Sequence, residues 1–379
     1  MQESGQGWAL EPVRKILLLA VAMVLALPPV RFALDEFGPD AVVDFTSAEW
    51  KAREELIPRA RVFPASPPVD PHPLDTAKPV ECRYLPKRSK ATTPKFDCEL
   101  ADGQVVKVKY GFTPEKRSEV AATRLLAMLG FPADHVTTVH KLRCRGCPLF
   151  PFQMRRLAEA FFAVPLLESI TNRDGVREFE WVAVERRMRG RPIEVGPHEG
   201  WDWNELPRVD PARGGATRAE IDALRLVAIF LNHWDNKAAN QRLICEEGEG
   251  GSDPKDPCRT PLLMLQDLGA TFGPTKVDYE EWVGTPIWID RDTCTVSLEN
   301  LPFHGGNFGR QRISEPGRAL LAERLARISD DQIRAIFESA RFPDPDTGLA
   351  PGDISKWVIA FQHKVREIVS RPACPSSSN

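Results

Sequence analysis

The strongest constraint on the fold is a pair of apolar, strand-like runs, Gln241–Cys245 and Pro261–Gln266. They lie on either side of an acidic, glycine-rich insert. Cys245 and Cys258 lie at the two ends of this insert, and they could form a disulfide at its base if the two runs are antiparallel strands. A polar segment comes just before the first run and another follows the second, and both contain residue types that carry chemistry.

Upstream of this pair the sequence predicts short strands and one long helix. Lys95–Leu100 and Gln104–Tyr110 predict a hairpin with its turn at Asp102-Gly103. A helix is then predicted from Thr113-Pro114 to a stop at Gly130.

From about Glu194 the pattern becomes helical. Thr217-Arg-Ala-Glu220 is a capping box that opens a helix with one apolar face. At least three more helices follow, one of them capped at Ser329. The fold class is therefore α+β, with a small β-rich part followed by a larger helical part.

The polar segment before the first run reads His233-Trp-Asp235-Asn-Lys237-Ala-Ala-Asn240. It resembles the catalytic loop of protein kinases, His-Arg-Asp-x-Lys-x-x-Asn, with Trp234 in place of the usual arginine. Phosphoryl transfer needs a carboxylate for the acceptor hydroxyl, a cation for the moving phosphoryl group and an oxygen for a metal. The resemblance implies that Asp235 and Lys237 are catalytic and that Asn240 is a metal ligand.

The segment after the second run ends in Gln-Asp267-Leu-Gly269. It resembles the Asp-Phe-Gly metal site of the same family, since a carboxylate at a strand end followed by glycine can approach a phosphate-bound Mg²⁺. The distance along the chain from Asp235 is longer than usual in kinases, and the insert at 246–257 accounts for the excess. Asp267 is therefore expected to be the second metal ligand.

Two lysines on the predicted strand before the long helix are candidates for contact with the nucleotide. Lys107 and Lys109 share one strand face. The family alignment favours Lys109, although either lysine could serve. Glu119 matches the helix glutamate that pairs with this lysine in kinases. Glu115, one turn earlier, is predicted to be a solvated acid of the first helical turn.

The resemblance implies a two-lobed protein-kinase-like fold that binds ATP and Mg²⁺ (or Mn²⁺). The predicted boundaries are 1–33 for a signal peptide or membrane anchor, 34–80 for a proline-rich connector, 81–192 for the small lobe and 193–379 for the large lobe. The glycine-rich phosphate loop and the Ala-Pro-Glu motif of the family are missing. The acceptor is expected to be a protein serine or threonine, with a sugar, lipid or other small molecule as the alternative.

Two further features indicate an extracytoplasmic protein, either periplasmic or secreted. Arg14 and Lys15 precede the apolar run Ile16–Leu27, which has the size of a signal-peptide core and would otherwise remain as a membrane anchor. The eight cysteines form an even set, which suggests disulfides in an exported chain. Cys144-Arg-Gly-Cys147 is interpreted as a local structural disulfide.

Other classes of function remain open at this point. The formal net charge of −3 argues neither for nor against an acidic partner, and we predict no nucleic-acid partner. A pseudokinase, which uses the fold as a binding or scaffold module, is favoured by the missing glycine loop and by the scarcity of ATP outside the cytoplasm. A third alternative is an exported, disulfide-bonded protein unrelated to kinases. In that case the kinase-like order of the motifs would be a coincidence.

Overall fold

A computed structural model gives the structure of this protein. It describes residues 48–68, 70, 73–86, 93–160, 174–193, 200–246, 258–273, 277–299, 301, 306–342 and 353–375. All of them belong to one compact unit, Asp44–Asn379. The apolar run Ile16–Leu27, and with it the predicted signal peptide or anchor, lies outside the described residues. The described part mixes helices and strands, which confirms the α+β class.

The first half of the described chain contains a closed ring of five strands in the order β1-β2-β3-β5-β4. Neighbouring strands are antiparallel except for β1 and β4, whose parallel pairing closes the ring. Their ranges are β1 (Val80–Leu85), β2 (Lys95–Leu100), β3 (Val105–Lys109), β4 (His135–Arg145) and β5 (Val176–Arg186).

The two faces of this ring differ because side chains alternate along a strand. Phe96, Cys98 and Val108 point to one face and join a buried apolar cluster. Lys95 and Lys109 point to the other face, where they lie opposite each other in the β2–β3 register. The predicted hairpin is confirmed, with Gly103 at a φ of 79° in its turn.

Helix α1 (Ala48–Leu56) precedes the ring, and helices α2 (Glu115–Met128) and α3 (Pro151–Ala160) interrupt it. The N-cap of α2 is Pro114, one position after the predicted Thr113, whose Oγ1 accepts a hydrogen bond from the backbone N–H of Glu115 at 3.3 Å. Gly130, at a φ of 79°, follows its end. The face of α2 that includes Val120 and Leu125 is fully buried.

The second half is mainly helical around a small three-stranded sheet in the order β6-β7-β8. The strands are β6 (Arg191–Pro192), β7 (Gln241–Cys245), β8 (Pro261–Leu265), β9 (Thr295–Val296) and β10 (Gln311–Arg312). The helices are α4 (Arg218–Leu231), α5 (Tyr279–Gly284), α6 (Glu315–Ala326), α7 (Asp330–Ser339) and α8 (Ile354–Val369).

Local sequence signals explain where several of these elements begin and end. The capping boxes at Thr217 and Ser329 form as predicted, at the starts of α4 and α7. Asn232, in the left-handed conformation, ends α4. Strands β7 and β8 form the antiparallel pair on which the insert between them depends.

Part of the segment predicted as a connector is instead packed against the helical half. Helix α1 leads into Ile57, Ala60 and Val62, which are buried in the large core. Arg53 is also buried, and its guanidinium bonds to Glu205. Within the segment 34–80, predicted as a connector, residues 48–62 are therefore ordered by contacts with distant residues, although this stretch has no strong local pattern.

Four disulfides join all eight cysteines in the described chain: Cys82–Cys98, Cys144–Cys147, Cys245–Cys258 and Cys294–Cys374. Two predicted disulfides are confirmed: Cys144–Cys147, and Cys245–Cys258 at the base of the insert. Four disulfides suggest an oxidising, extracytoplasmic environment. Among the described residues, none of the helices combines the length and the apolar content needed to cross a membrane.

Candidate functional site

The centre of the candidate site is Lys109, the last residue of β3. Its side chain is fully buried, and its ammonium bonds to three carboxylates. The distances from Nζ are 3.0 Å to Glu115 Oε1 and 2.9 Å to Glu119 Oε1, both on α2. The third is 2.9 Å to Asp267 Oδ1, just after β8. One ammonium thus ties the ring, helix α2 and the β7–β8 pair together.

These charges shift the acid–base properties of the cluster. Burial disfavours the charged ammonium, but Asp267, Glu119 and Glu115 outweigh it and hold the pKa of Lys109 well above its usual range. The ammonium of Lys109 holds the pKa of Asp267 well below its usual range. Burial raises the pKa of Glu119 to about 7, against the opposing effect of Lys109.

Lys107, the other candidate lysine, has a different partner. Its Nζ lies 2.6 Å from Oε1 of Glu185 on β5, directly across the β3–β5 register. The Lys107 pKa is raised because Glu185 outweighs the effect of burial. Of the two lysines, only Lys109 makes a recorded hydrogen bond to Glu119 or Asp267 within the described part of the chain.

Asp267 occupies a strained position that aims its carboxylate at the cluster. Its φ is 50°, in the left-handed region that non-glycine residues seldom adopt. Gly269, two residues on, packs so closely on α2 that an added Cβ would lie 2.0 Å from Glu115 Cγ. Ser118 Oγ of α2 donates to the Gly269 carbonyl at 2.5 Å. The turn that carries Asp267 is therefore locked against α2.

The segment with Asp235 lies at the same end of the β7–β8 pair. The backbone N–H of Gln266 donates to the carbonyl of Asn240 at 3.0 Å, so Asn240 and Asp267 flank one edge of this sheet. The Asn240 side-chain amide donates to the Asp235 carbonyl at 2.6 Å. Lys237 Nζ lies 3.3 Å from Asp235 Oδ1. Backbone and side-chain hydrogen bonds thus connect all the residues predicted in this part of the site.

Buried residues behind this segment hold its backbone in place. Asn236 is fully buried; its side-chain amide donates to the His233 carbonyl at 3.0 Å, and its backbone carbonyl accepts from Trp203 Nε1 at 3.0 Å. His233 is also fully buried, and burial lowers its pKa to about 4. Trp201 and Trp203 are packed in the core behind this segment.

Two residues of this cluster, Glu115 and Lys95, were not predicted correctly from the sequence. Glu115 was expected to be solvated, and that was wrong: it is buried and bonds to Lys109, and its other oxygen accepts from the Thr93 hydroxyl. Lys95 was not singled out, although it lies opposite Lys109 in the register. Burial and the nearby Lys109 ammonium lower the Lys95 pKa. In the predicted hairpin Lys95 and Lys109 fall on the same face of the sheet, and this could have identified Lys95.

The donor set fits a hard divalent cation. Asp267 presents a carboxylate whose side chain is one-third exposed, with only Oδ1 engaged by Lys109. Asn240 donates from its amide nitrogen to the Asp235 carbonyl, so its amide oxygen is the atom that would face a cation. Carboxylate and amide oxygens are the ligands that Mg²⁺ and Mn²⁺ take. Lysines at the same place would attract the phosphates of a nucleotide.

Comparisons with known proteins add little to this geometry. No protein-family model and no curated protein matches the chain. Among solved structures, it is similar to a proinflammatory kinase of Helicobacter pylori, CtkA, with a TM-score of 0.43 and 10% sequence identity. The match covers 77% of this chain and 96% of that chain. A likeness this distant carries no argument about activity, so the functional case rests on the site.

Proposed function

We propose that this chain is an exported, two-lobed, protein-kinase-like phosphotransferase. It would use ATP with Mg²⁺ or Mn²⁺ and transfer a phosphoryl group to a hydroxyl, with a protein serine or threonine as the preferred acceptor. A sugar, lipid or other small molecule is the alternative acceptor. The four disulfides support a location outside the cytoplasm.

One observation carries this proposal: a single ammonium, that of Lys109, bonds to both Glu119 and Asp267. Glu119 and Asp267 are far apart in the sequence, and each belongs to a different kinase-like motif. Asn240 of the third motif is hydrogen-bonded to Gln266, the residue before Asp267, and to the Asp235 carbonyl, which supports the same grouping. Chance similarity of three short motifs would not be expected to bring them together.

The residues suggest a division of labour. Asp235, whose side chain is one-quarter exposed, would accept the proton of the acceptor hydroxyl. The hydroxyl oxygen would at the same time form the new bond to phosphorus. The bond from that phosphorus to the leaving diphosphate oxygen breaks, and Lys237 would offset the charge of the moving group. Asn240 and Asp267 would hold the metal, and Lys109 would position Glu119 and Asp267 through its hydrogen bonds to both. The metal, when bound, neutralises phosphate charge.

The first test measures nucleotide binding by thermal shift, on the compact unit Asp44–Asn379 produced in an oxidising compartment. At a nucleotide concentration of about a hundred times its dissociation constant, binding should stabilise the native state by roughly 2.7 kcal/mol. The shift should need Mg²⁺ or Mn²⁺ and be lost in Asp267→Ala. Asp331→Ala, which removes an exposed carboxylate on α7, is the matched control and should keep it.

The second test separates binding from transfer. Asp235→Asn should still bind nucleotide but lose phosphoryl transfer to itself, to serine- and threonine-containing proteins and to small hydroxyl compounds, measured by mass spectrometry. Absence of a thermal shift with any nucleotide in well-folded wild-type protein would contradict the proposal. Equal transfer by wild type and Asp235→Asn would contradict the role of Asp235.

A pseudokinase is the second candidate, and one observation favours it. Lys109 is fully buried and surrounded by three carboxylates, so this arrangement offers no exposed lysine ammonium at that position to a phosphate. The missing glycine-rich run points the same way. Metal-dependent nucleotide binding without transfer to any acceptor would identify the chain as such a binding module.

A further inference from the structure

The face of the ring that carries Lys109 contains another lysine, Lys95, at the first position of β2. Lys95 and Lys109 are direct partners in the β2–β3 register, so their side chains leave the same face of the ring. Lys95 lies within electrostatic range of Asp267 and Glu115 as well. It is therefore a component of the cluster around Asp267, contributed by the strand next to β3.

The lysines of this site differ in what their ammonium groups contact. Lys109 is bound by three carboxylates, Lys107 by Glu185 and Lys237 by Asp235. The side-chain ammonium of Lys95 makes no hydrogen bond or ion pair with another residue in the described part of the chain, and the side chain is half-buried. This ammonium is therefore open to an anionic ligand, which would offset the repulsion from Lys109 and Lys107.

The site also lacks the usual means of holding phosphates. The sequence has no glycine-rich run before β2, so close approach of backbone amides to a phosphate chain is not provided there. Lys95 comes at the start of β2, next to the buried Thr93, whose hydroxyl is engaged with Glu115. A flexible side-chain cation at this position can reach a polyphosphate without any glycine.

We propose that Lys95 is a binding residue for the polyphosphate chain of the nucleotide, taking over the part that a glycine-rich loop would have. This rests on the proposed nucleotide site. Two neighbouring strands then have different roles: Lys95 on β2 binds the phosphates, while Lys109 on β3 orders Glu119 and Asp267. The ligand class is a nucleoside di- or triphosphate, since an ammonium at this place gains little from a nucleoside without phosphates.

The test measures dissociation constants for ATP, ADP and adenosine by titration calorimetry with Mg²⁺ present. Lys95→Met should weaken ATP and ADP binding by about tenfold or more, the usual loss of one charge-assisted hydrogen bond, and leave adenosine binding unchanged. Lys95→Arg keeps the charge and should recover part of the loss. If Lys95→Met does not fold, Lys95→Gln replaces it.

Lys141→Met is the matched control. Lys141 lies on β4, its side chain is about one-third exposed, and it pairs with Glu178 rather than with residues of the site. This variant should bind all three ligands as wild type does. Unchanged ATP affinity in Lys95→Met, or an equal loss for adenosine, would overturn the role of Lys95 while the nucleotide site stands. Failure of wild type to bind any nucleotide would instead overturn the proposed function.

Discussion

At the scale of single residues, His233 shows how a site residue can serve structure alone. It lies two positions before Asp235, yet its imidazole is fully buried and burial lowers its pKa to about 4. Asp235 and Asp267 oppose that shift without cancelling it. The ring is therefore neutral at pH 7, where it fills space behind the Asp235 segment.

The low pKa of His233 predicts an acid-sensitive fold. As the pH falls from about 6.5 towards 4, the unfolded chain takes up a proton that the folded chain does not, so the free energy of unfolding decreases. The contribution of His233 to this slope approaches about 1.4 kcal/mol per pH unit. It should disappear in His233→Gln, measured by urea unfolding at several pH values.

His363→Gln provides the comparison, because His363 is exposed on α8. That variant should keep the slope of wild type over the same pH range. If wild type and His233→Gln lose stability in parallel between pH 6.5 and 4, the buried imidazole is not the group that titrates, and the assignment of its pKa would be contradicted.

Residue identities in the site followed from the sequence better than residue environments did. Lys109, Glu119 and Asp267 were all selected from motifs, and they meet at one point. Glu115 was placed in solvent because a first-turn acid usually is. Its burial comes from Lys109 and Thr93, which approach from β3 and from the residues before β2, and no local pattern records such contacts.

At the scale of elements, the contact between α2 and the turn after β8 determines the shape of the site. Gly269 allows this contact, since a Cβ there would lie 2.0 Å from Glu115 Cγ, and its φ does not itself require glycine. Gly269→Ala should therefore force α2 and the turn apart. We expect a loss of about 1–3 kcal/mol in unfolding free energy, measured by urea denaturation, together with weaker nucleotide binding.

Two companion variants make this prediction specific. Gly284→Ala, at the end of α5, adds a Cβ that meets nothing within 4 Å and should change stability little. Combining Gly269→Ala with Glu115→Ala removes the clashing side chain, so the two effects should be clearly non-additive. Purely additive losses would show that the close approach of these two elements is not what Gly269 provides.

Elements with a strong local signal were predicted and those defined by distant contacts were not. The capping boxes of α4 and α7 and the turn of the β2–β3 hairpin are written in a few adjacent residues. Helix α1 has a highly charged sequence without an apolar stripe, and its order depends on the pairing of Arg53 with Glu205. A contact between residues 152 positions apart cannot be predicted from a few adjacent residues.

At the scale of the whole molecule, the disulfides should differ in what they contribute. Cys294–Cys374 joins residues 80 positions apart, whereas Cys144–Cys147 spans three. In the chain-entropy account, the first restricts the unfolded chain far more and stabilises by about 4.5 kcal/mol. Replacing Cys294 and Cys374 by alanine should therefore lower the unfolding free energy much more than replacing Cys144 and Cys147.

Urea unfolding of the two double variants under oxidising conditions measures this difference. Both pairs are buried, so the loss of packing at the replaced sulfurs is similar and the loop length is the main contrast. Equal losses would contradict the entropic explanation for this protein. Of the four disulfides, Cys144–Cys147 and Cys245–Cys258 were predicted, because a CxxC spacing and a pair of flanking strands indicate them, whereas eight cysteines allow many connectivities for the rest.

The closed order β1-β2-β3-β5-β4 also restricts how this molecule can meet other chains. Where β1 and β4 pair, Val80–Arg83 with Leu142–Arg145, the ring has no free backbone edge, so an extended peptide cannot add a strand there and two copies cannot join their sheets there. A protein recognised at this closing pair must be held by side chains and loops instead. Such closure also works against fibrous self-association through this sheet.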